Sequence, residues 1–282
     1  MTTRALVLGG GGLAGIGWEI GVLAGLASAG VDVRDADLLV GTSAGSAVAS
    51  QLGRDAALED VYAEQLLPPD GEIAVEFDIA AIGMAFLAAM EGAPTQQELL
   101  ARVGRMALEA DTLPEADRLA VIAERLRVHE WPTTRLLVTA VEATTGVFRA
   151  FSSDDGVPLV HAVAASCAVP MVWPPVTLEG TRWMDGGMRS STNADLAAGH
   201  DRVLVVAPLT VPAGSPVGAG LEDEVAGLES GGAQVVVVKG DTEALRAFGS
   251  NPLDPATRGP SARIGYAHGV RVADQVRTLW HA

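Results

Sequence analysis

The sequence is poor in metal-binding and cross-linking side chains. Cys167 is the one cysteine among 282 residues, so the chain forms no internal disulfide and no cysteine-based metal cluster. The five histidines include no HExxH or HxH pair, so a structural or catalytic metal has no support from the sequence. We therefore expect neither a metal nor another cofactor.

Basic residues are scarce as well. Nineteen lysines and arginines stand against 35 aspartates and glutamates, which gives a net charge of −16 and an isoelectric point near 4.6. Such a charge repels the phosphates of nucleic acids, and we expect no nucleic acid partner. It also disfavours simple electrostatic docking onto anionic lipid.

Long apolar runs are missing too. No stretch reaches 18 apolar residues without a charge or a glycine. The segment after Arg4 resembles a signal peptide in part, but several glycines between residues 9 and 17, together with Glu19, interrupt it. The sequence therefore predicts a cytoplasmic protein without a membrane-spanning helix, and it leaves peripheral contact with a membrane open.

Hydrophobic and small residues are abundant, at 49% hydrophobic and 33 glycines. An apolar run at residues 4–8 is closed by glycines, and apolar residues then follow at helical spacing from Ile16 to Ala27. A second apolar run at 38–40 again ends in a turn, and a helix is predicted over 46–52. Repeated strand, tight turn and helix is typical of a parallel α/β sheet.

Residues 55–130 have a different character, because they predict helices and no clear strand. The segment Ile79–Met90 in this insertion is nearly all apolar. Beyond it the sequence predicts a hairpin of strands 136–141 and 147–151, strands 203–207 and 235–238, and a last helix at 262–280 after a loop at 251–260. We expect one domain over residues 1–282 with this helical insertion at about 55–130.

The run Gly41-Thr42-Ser43-Ala44-Gly45 is a G-x-S-x-G motif. Glycines two residues on each side of a serine permit a sharp strand-to-helix turn that exposes the hydroxyl of a nucleophile. A predicted strand before it and a predicted helix after it favour this interpretation. The alternative is an ordinary turn in which Ser43 only caps the helix.

A glycine-rich run, Gly9 to Gly12 followed by Leu13-Ala14-Gly15, lies between the first strand and the first helix. Backbone N–H groups in such a turn can converge on an anion, either a nucleotide phosphate or the oxyanion of a tetrahedral intermediate. The glycine spacing also fits a dinucleotide fingerprint, with Asp32 or Asp35 about 20 residues further on. A third possibility is a turn that merely permits close packing.

The run Asp185-Gly186-Gly187 places an aspartate on a flexible loop that can hold it exposed at the end of a strand. Taken alone, the run is more typical of a surface turn, since Asp-Gly is a common turn dipeptide. A catalytic triad would need a histidine, and His161, His200 and His268 lie in no recognisable catalytic context. Cys167, in a small-residue helix, is expected to be a buried and inert thiol.

Taken together and in this order, the three motifs resemble those of the patatin-like phospholipase family. A fourth stretch, His161 to Pro170 followed by Trp173 to Val176, is similar to the small-residue helix and proline-rich turn that precede the family's aspartate. The resemblance covers residues 4–52 and about 134–210. It implies a three-layer α/β/α fold with a mainly parallel central sheet.

The resemblance also implies roles for single residues. Ser43 is the implied nucleophile, with Gly41 and Gly45 forming its elbow, and Asp185 is the implied base on the loop that contains Gly186 and Gly187. The implied donors to the oxyanion are the N–H groups of Gly10, Gly11 and Gly12. The implied substrate is a lipid or another acyl ester, cleaved by a Ser-Asp dyad without a histidine. Oligomeric state does not follow from the sequence.

Two departures from the family pattern concern the glycine loop. Ala14 stands where many bacterial members have Arg or Lys, and Ile16 to Glu19 replace a segment with small residues and His. Acyl transfer to an acceptor other than water is an alternative reaction, and a non-catalytic nucleotide-binding module is an alternative of another class. We further predict that residues 55–130, especially Ile79–Met90, form a lid or an acyl-binding wall beside Ser43.

Overall fold

The computed structural model describes residues 2–53, 56–75, 79–211 and 220–281, with the backbone alone at 79–81. The strands are β1 (Arg4–Leu8), β2 (Leu38–Gly41), β3 (Arg135–Glu142), β4 (Phe148–Phe151), β5 (Val176–Leu178), β6 (Thr181–Asp185), β7 (Arg202–Ala207) and β8 (Gln234–Lys239). The helices are α1 (Gly12–Ser28), α2 (Ala44–Leu52), α3 (Leu58–Gln65), α4 (Ile79–Met90), α5 (Gln96–Glu109), α6 (Glu115–Leu126), α7 (Leu159–Ser166), α8 (Leu221–Ser230), α9 (Thr242–Phe248) and α10 (Arg258–His281).

The strands form one mixed sheet in the order β5-β6-β3-β2-β1-β7-β8, with β4 beside β3. Strands β3, β2, β1, β7 and β8 are mutually parallel, and the contacts of β4, β5 and β6 are antiparallel. The predicted α/β fold with a mainly parallel sheet is confirmed. The antiparallel strands lie at the β3 side, and one of them, β6, ends at Asp185.

Both faces of the central sheet are covered. Leu6 and Leu8 of β1 belong to a large core that also contains residues of α1, α2, α7 and α10. Ala5 and Val7 point the other way, into a second core closed by α8. Burial on both faces explains why the strands are continuous apolar runs rather than alternating ones. Helices on the two sides of the sheet give the three layers.

Helix α1 crosses α10 at very short range. A Cβ atom added to Gly21 would lie 2.2 Å from the carbonyl oxygen of Ala262, so no larger residue fits there. Glycines from α10 face α1 in the same way, as Gly265 does towards Trp18. This contact fixes α1, and therefore fixes the glycine turn from which α1 begins.

Two helix boundaries differ from the sequence expectation. Helix α1 begins at Gly12 instead of near Ile16, so part of the glycine run is helical. Helix α10 begins at Arg258 instead of 262, and Pro260 therefore lies in its first turn. Proline is tolerated there because the first N–H groups of a helix have no partner within the helix. The predicted 145–146 hairpin is confirmed by the antiparallel pairing of β3 with β4.

The segment predicted as an insertion, residues 55–130, contains α3, α4, α5 and α6; its boundary at Asp55 and residues 76–78 lie outside the described residues. Helix α3 packs on α1, α4 packs on α5, and α6 packs on α2 and α7. In the part of the chain that the structure describes, every helix is too short or too polar to cross a membrane.

Candidate active site

Ser43 lies in the sharp turn between β2 and α2. Its φ of 52° and ψ of −117° are strained for a residue with a side chain. Hydrogen bonds hold this conformation: the Ser43 N–H donates to Ser166 Oγ at 2.9 Å, and Ser46 Oγ and Cys167 Sγ donate to the Ser43 carbonyl at 2.6 and 3.2 Å. A strained serine between a strand and a helix is the geometry of a nucleophile elbow.

The two glycines of the elbow motif are required by close backbone contacts. A Cβ on Gly45 would lie 2.0 Å from the carbonyl oxygen of Leu8, because α2 starts directly against β1. A Cβ on Gly41 would lie 2.5 Å from the Cα of Ser46. The motif is thus more than a helix cap, since its glycines let the turn at Ser43 pack closely against β1 and the first turn of α2.

Asp185 reaches Ser43 from the end of β6, although the two residues are 142 positions apart in the chain. Antiparallel pairing with β3 sets this approach, with Asp185 opposite Ala140. Asp185 Oδ2 accepts the Ser43 hydroxyl at 2.7 Å, and Oδ1 accepts the Gly187 N–H at 2.7 Å. The aspartate is therefore oriented by its own loop while it holds the serine proton.

Both side chains are buried, which differs from the exposed hydroxyl and the exposed aspartate that the motifs predict. Ser43 is 8% exposed and Asp185 is 3% exposed. Burial raises the pKa of Asp185 to about 7, against the opposing effects of its hydrogen bonds from Ser43 and Gly187 and of the nearby positive charge of Arg118. A carboxyl group with this pKa is a far better base at neutral pH than an exposed aspartate.

The glycine loop lies beside Ser43. A Cβ on Gly10 would be 3.6 Å from the Cβ of Ser43. The Gly10 N–H donates to the carbonyl of Ser191 at 2.8 Å, whereas among the described residues the N–H groups of Gly11 and Gly12 have no hydrogen-bond acceptor in the backbone. Gly11 and Gly12 also form the beginning of α1, where the helix dipole favours negative charge.

The acidic residues that a dinucleotide fingerprint would use, Asp32 and Asp35, lie at the opposite ends of the strands from the glycine loop. Asp32 and Asp35 precede β2, whereas the glycine loop follows β1, and β1 and β2 are parallel. Asp32 binds Arg34, and Asp35 binds Arg4 and the indole of Trp280. These carboxylates therefore do not face the glycine loop, and the nucleotide-binding interpretation loses its acidic residue.

No described histidine hydrogen bonds to Ser43. His200 contacts the carbonyl of Ala197, and His268 lies against Trp18 with Asp241 at 3.7 Å. Cys167 is buried as predicted, and burial raises the pKa of its thiol. Nor does the described part of the chain contain a cluster of three or more His, Cys, Asp or Glu side chains that could hold a metal ion.

Asn193 connects the elbow to the aspartate loop, a role that the sequence did not indicate. Its Nδ2 donates to Thr42 Oγ1 at 3.0 Å and to the carbonyls of Ser190 at 2.9 Å and Gly186 at 3.3 Å. The neighbour of Ser43 and the neighbour of Asp185 thereby share one amide. Ser166, which accepts the Ser43 N–H, lies in the small-residue helix that marks the family resemblance, but no pattern singled it out.

A small cavity adjoins Ser43 and is about 20 Å³ in volume. Its walls come from the glycine loop and α1, the elbow, α6, the segment after α7 and the loop before α10: Gly12, Leu13, Ile16, Ala44, Arg118, Arg125, Cys167, Val169, Trp173 and Leu253. A larger cavity of about 300 Å³ lies next to it and shares Leu13, Ile16 and Arg125 with it. Among the described side chains of residues 55–130, those of α6 border this cavity and those of α4 do not.

Two solved structures are similar to nearly the whole chain. VipD from Legionella pneumophila is 14% identical, with a TM-score of 0.44, and the match covers 97% of this chain and 67% of that one. The type III effector protein ExoU is 13% identical, with a TM-score of 0.40, and the match covers 96% of this chain and 53% of that one. A search of curated proteins found no match.

The sequence profile of the patatin-like phospholipase family matches residues 6–198, which is more than half of the chain. The matched region contains the glycine loop, the elbow and the aspartate loop. The chain therefore belongs to the patatin-like phospholipase family and is a lipid acyl hydrolase.

Proposed function

We propose that the protein cleaves carboxylic acyl esters of lipids with Ser43 as the nucleophile and Asp185 as the general base. The observation that carries this proposal is the 2.7 Å hydrogen bond from Ser43 Oγ to Asp185 Oδ2 inside a buried site. The strained turn at Ser43 and the membership in a lipase family support it.

In the proposed reaction, Asp185 takes the proton of Ser43 Oγ as that oxygen attacks the carbonyl carbon of the ester. The tetrahedral intermediate collapses, the C–O bond to the alcohol breaks, and the alcohol leaves with the proton from Asp185. An acyl-enzyme on Ser43 remains. Asp185 then takes a proton from water as the water oxygen attacks the acyl carbon. The bond from that carbon to Ser43 Oγ breaks, the carboxylic acid leaves, and Ser43 Oγ recovers the proton from Asp185.

The oxyanion of each tetrahedral intermediate needs hydrogen-bond donors. We propose the N–H groups of Gly11 and Gly12, because neither has a backbone acceptor among the described residues and both lie at the beginning of α1. Gly10 can contribute only by giving up its bond to Ser191. Removal of one such donor costs a serine hydrolase about 3–4 kcal/mol of transition-state stabilisation.

The insertion completes the site in this proposal. Helix α6 supplies Arg118 and Arg125 to the wall of the Ser43 cavity. Helix α4 carries Met84 and Leu87, which are 67% and 59% exposed, and its described side chains do not border the cavity. We therefore propose that α6 forms the polar side of the substrate cavity; an acyl-binding wall or a lid formed by α4 and a cytoplasmic location stay predictions.

Hydrolysis of a panel of p-nitrophenyl esters by the wild type and by Ser43→Ala tests the proposed function. The wild type should release p-nitrophenol with acyl-chain selectivity, and Ser43→Ala should be inactive because the hydroxyl is lost. Wild-type rates in Ser43→Ala would contradict the proposal. Acyl transfer to another acceptor would pass through the same acyl-enzyme. No observation favours it, since no described histidine hydrogen bonds to Ser43.

The activity should depend on pH through Asp185. The base must be ionised, and since burial raises its pKa to about 7, kcat/KM for a neutral ester should rise about tenfold per pH unit below 7 and level off above it. Among the described residues, the charged or titratable groups that act on Asp185 are Arg118 and Cys167. Acid release measured in a pH-stat from pH 5 to 9 checks this. A flat profile over that range would exclude a base with the raised pKa.

A further inference from the structure

Arg118 is a buried cation in the wall of the Ser43 cavity. Its side chain leaves α6 and is 3% exposed. The guanidinium carbon lies 3.7 Å from the centre of the Trp173 ring, so the planar group is stacked on an aromatic face. Ser43 and Trp173 border the same cavity. The guanidinium is thus fixed in orientation beside the reacting serine.

Apart from the Trp173 ring, the described residues give this cation no partner. Arg118 Nε is buried without a hydrogen-bond acceptor, and no described carboxylate forms a salt bridge with the side chain. Burial lowers the pKa of Arg118 to about 9, which still leaves the group positively charged at neutral pH. Burying an uncompensated charge is costly, so a site that retains one is suited to an anionic ligand.

The charged side chains near Arg118 already have hydrogen-bond partners. Arg125 donates from Nε and an Nη atom to the two carboxylate oxygens of Glu72 at 2.9 and 2.6 Å, so Glu72, whose charge also acts on Arg118, is already paired. Asp185 is held by Ser43 and Gly187. Of the two arginines that border the Ser43 cavity, Arg118 alone is without a carboxylate among the described residues.

We propose that Arg118 binds the phosphate of a phospholipid substrate and makes the enzyme prefer phospholipids to neutral acylglycerols. The inference rests on the proposed ester hydrolysis at Ser43, because a glycerophospholipid has a phosphodiester a few bonds from its acyl esters. A guanidinium stacked on an indole presents its donors as a planar fork, which matches two phosphate oxygens.

The resting cavity must widen to admit the phosphate. Its volume of about 20 Å³ suits roughly one water molecule. The adjoining cavity of about 300 Å³ offers the space, and Arg125, held by Glu72, borders both. Because Arg125 borders both cavities, we expect a phosphate that enters from this side to displace the Glu72–Arg125 ion pair.

The test compares two soluble substrates with the same acyl chains, dihexanoyl phosphatidylcholine and dihexanoylglycerol. Arg118→Gln should lower the ratio of their kcat/KM values by about 10- to 100-fold, the effect of losing charge-assisted hydrogen bonds. Arg118→Lys should lower the ratio less, since it keeps the charge but not the fork. Arg105→Gln is the matched control, because Arg105 lies on α5 of the same insertion and its side chain is 51% exposed.

The ratio cancels any change in the dyad, because both substrates use the same serine and the same base. An equal loss on both substrates would overturn the proposal and give Arg118 a structural or electrostatic role toward Asp185. Inorganic phosphate should also inhibit hydrolysis of dihexanoylglycerol, less so in Arg118→Gln; such inhibition with an unchanged ratio would indicate a site for free phosphate and overturn the headgroup assignment. If the wild type cleaves neither ester, the proposed function itself fails.

Discussion

Asp185→Asn is expected to lower kcat for ester hydrolysis by about 10⁴-fold or more, because the amide cannot take the serine proton. The substitution is isosteric, and the amide oxygen can still accept the Gly187 N–H that now binds Oδ1. No second base contacts Ser43 Oγ among the described residues, since its hydrogen bond runs to Asp185. Steady-state rates at pH 8 measure the effect. Residual activity within tenfold of wild type would assign the base to another group.

The stability of Asp185→Asn provides the control for folding. In the wild type the folded pKa of about 7 exceeds that of an exposed aspartate, near 3.9. Between these values the unfolded chain has lost the proton and the folded one keeps it, so wild-type stability falls as pH rises. The variant has no such loss of stability. Its free energy of unfolding relative to that of the wild type should therefore rise by roughly 2–3 kcal/mol from pH 5 to pH 7. Unfolding in urea at both pH values checks this. A variant whose free energy of unfolding falls relative to that of the wild type from pH 5 to pH 7 would contradict the raised pKa.

Gly45→Ala is expected to destabilise the fold by about 3 kcal/mol or more and to abolish activity. The added methyl carbon would lie 2.0 Å from the carbonyl oxygen of Leu8. The oxygen belongs to the backbone of β1, and the methyl carbon is attached directly to the backbone of α2. Neither segment can move away without disturbing the sheet. Denaturant unfolding and ester hydrolysis measure the two effects.

Gly10→Ala is the matched control for that substitution. Its Cβ would meet Ser43 Cβ at 3.6 Å and the Ser191 carbonyl oxygen at 3.7 Å, which are ordinary contacts. We expect this variant to fold with near wild-type stability and to lose activity, because the methyl group intrudes beside the nucleophile. A folded, active Gly45→Ala would show that the elbow tolerates more space than the backbone contacts allow.

The first half of the site could be predicted because its signals are local. An apolar run, a glycine turn and a helical period follow one another in sequence, and the structure places β1, α1, β2 and α2 accordingly. The partnership of Ser43 with Asp185 is different, since it depends on the pairing of β6 with β3. No local pattern encodes that pairing, and only the family resemblance indicated it.

Other features depend on contacts between distant parts of the chain. The family resemblance implied three oxyanion donors, Gly10, Gly11 and Gly12, but the Gly10 N–H donates to the carbonyl of Ser191, far along the sequence. Arg118 lies in the amphipathic helix α6, and a charged residue of such a helix normally faces solvent. It is buried beneath the ring of Trp173, a residue of the segment that follows α7, and α7 itself packs against α6.

Labelling with a fluorophosphonate tests the central claim most directly, because the reagent reacts only with an activated serine. The tryptic peptide of residues 35–54 also contains Ser46 and Ser50, so fragmentation must locate the adduct. We expect one adduct, on Ser43, with none in Ser43→Ala and a much slower reaction in Asp185→Asn. An adduct on another serine, or wild-type labelling rates in Asp185→Asn, would contradict the Ser43–Asp185 dyad.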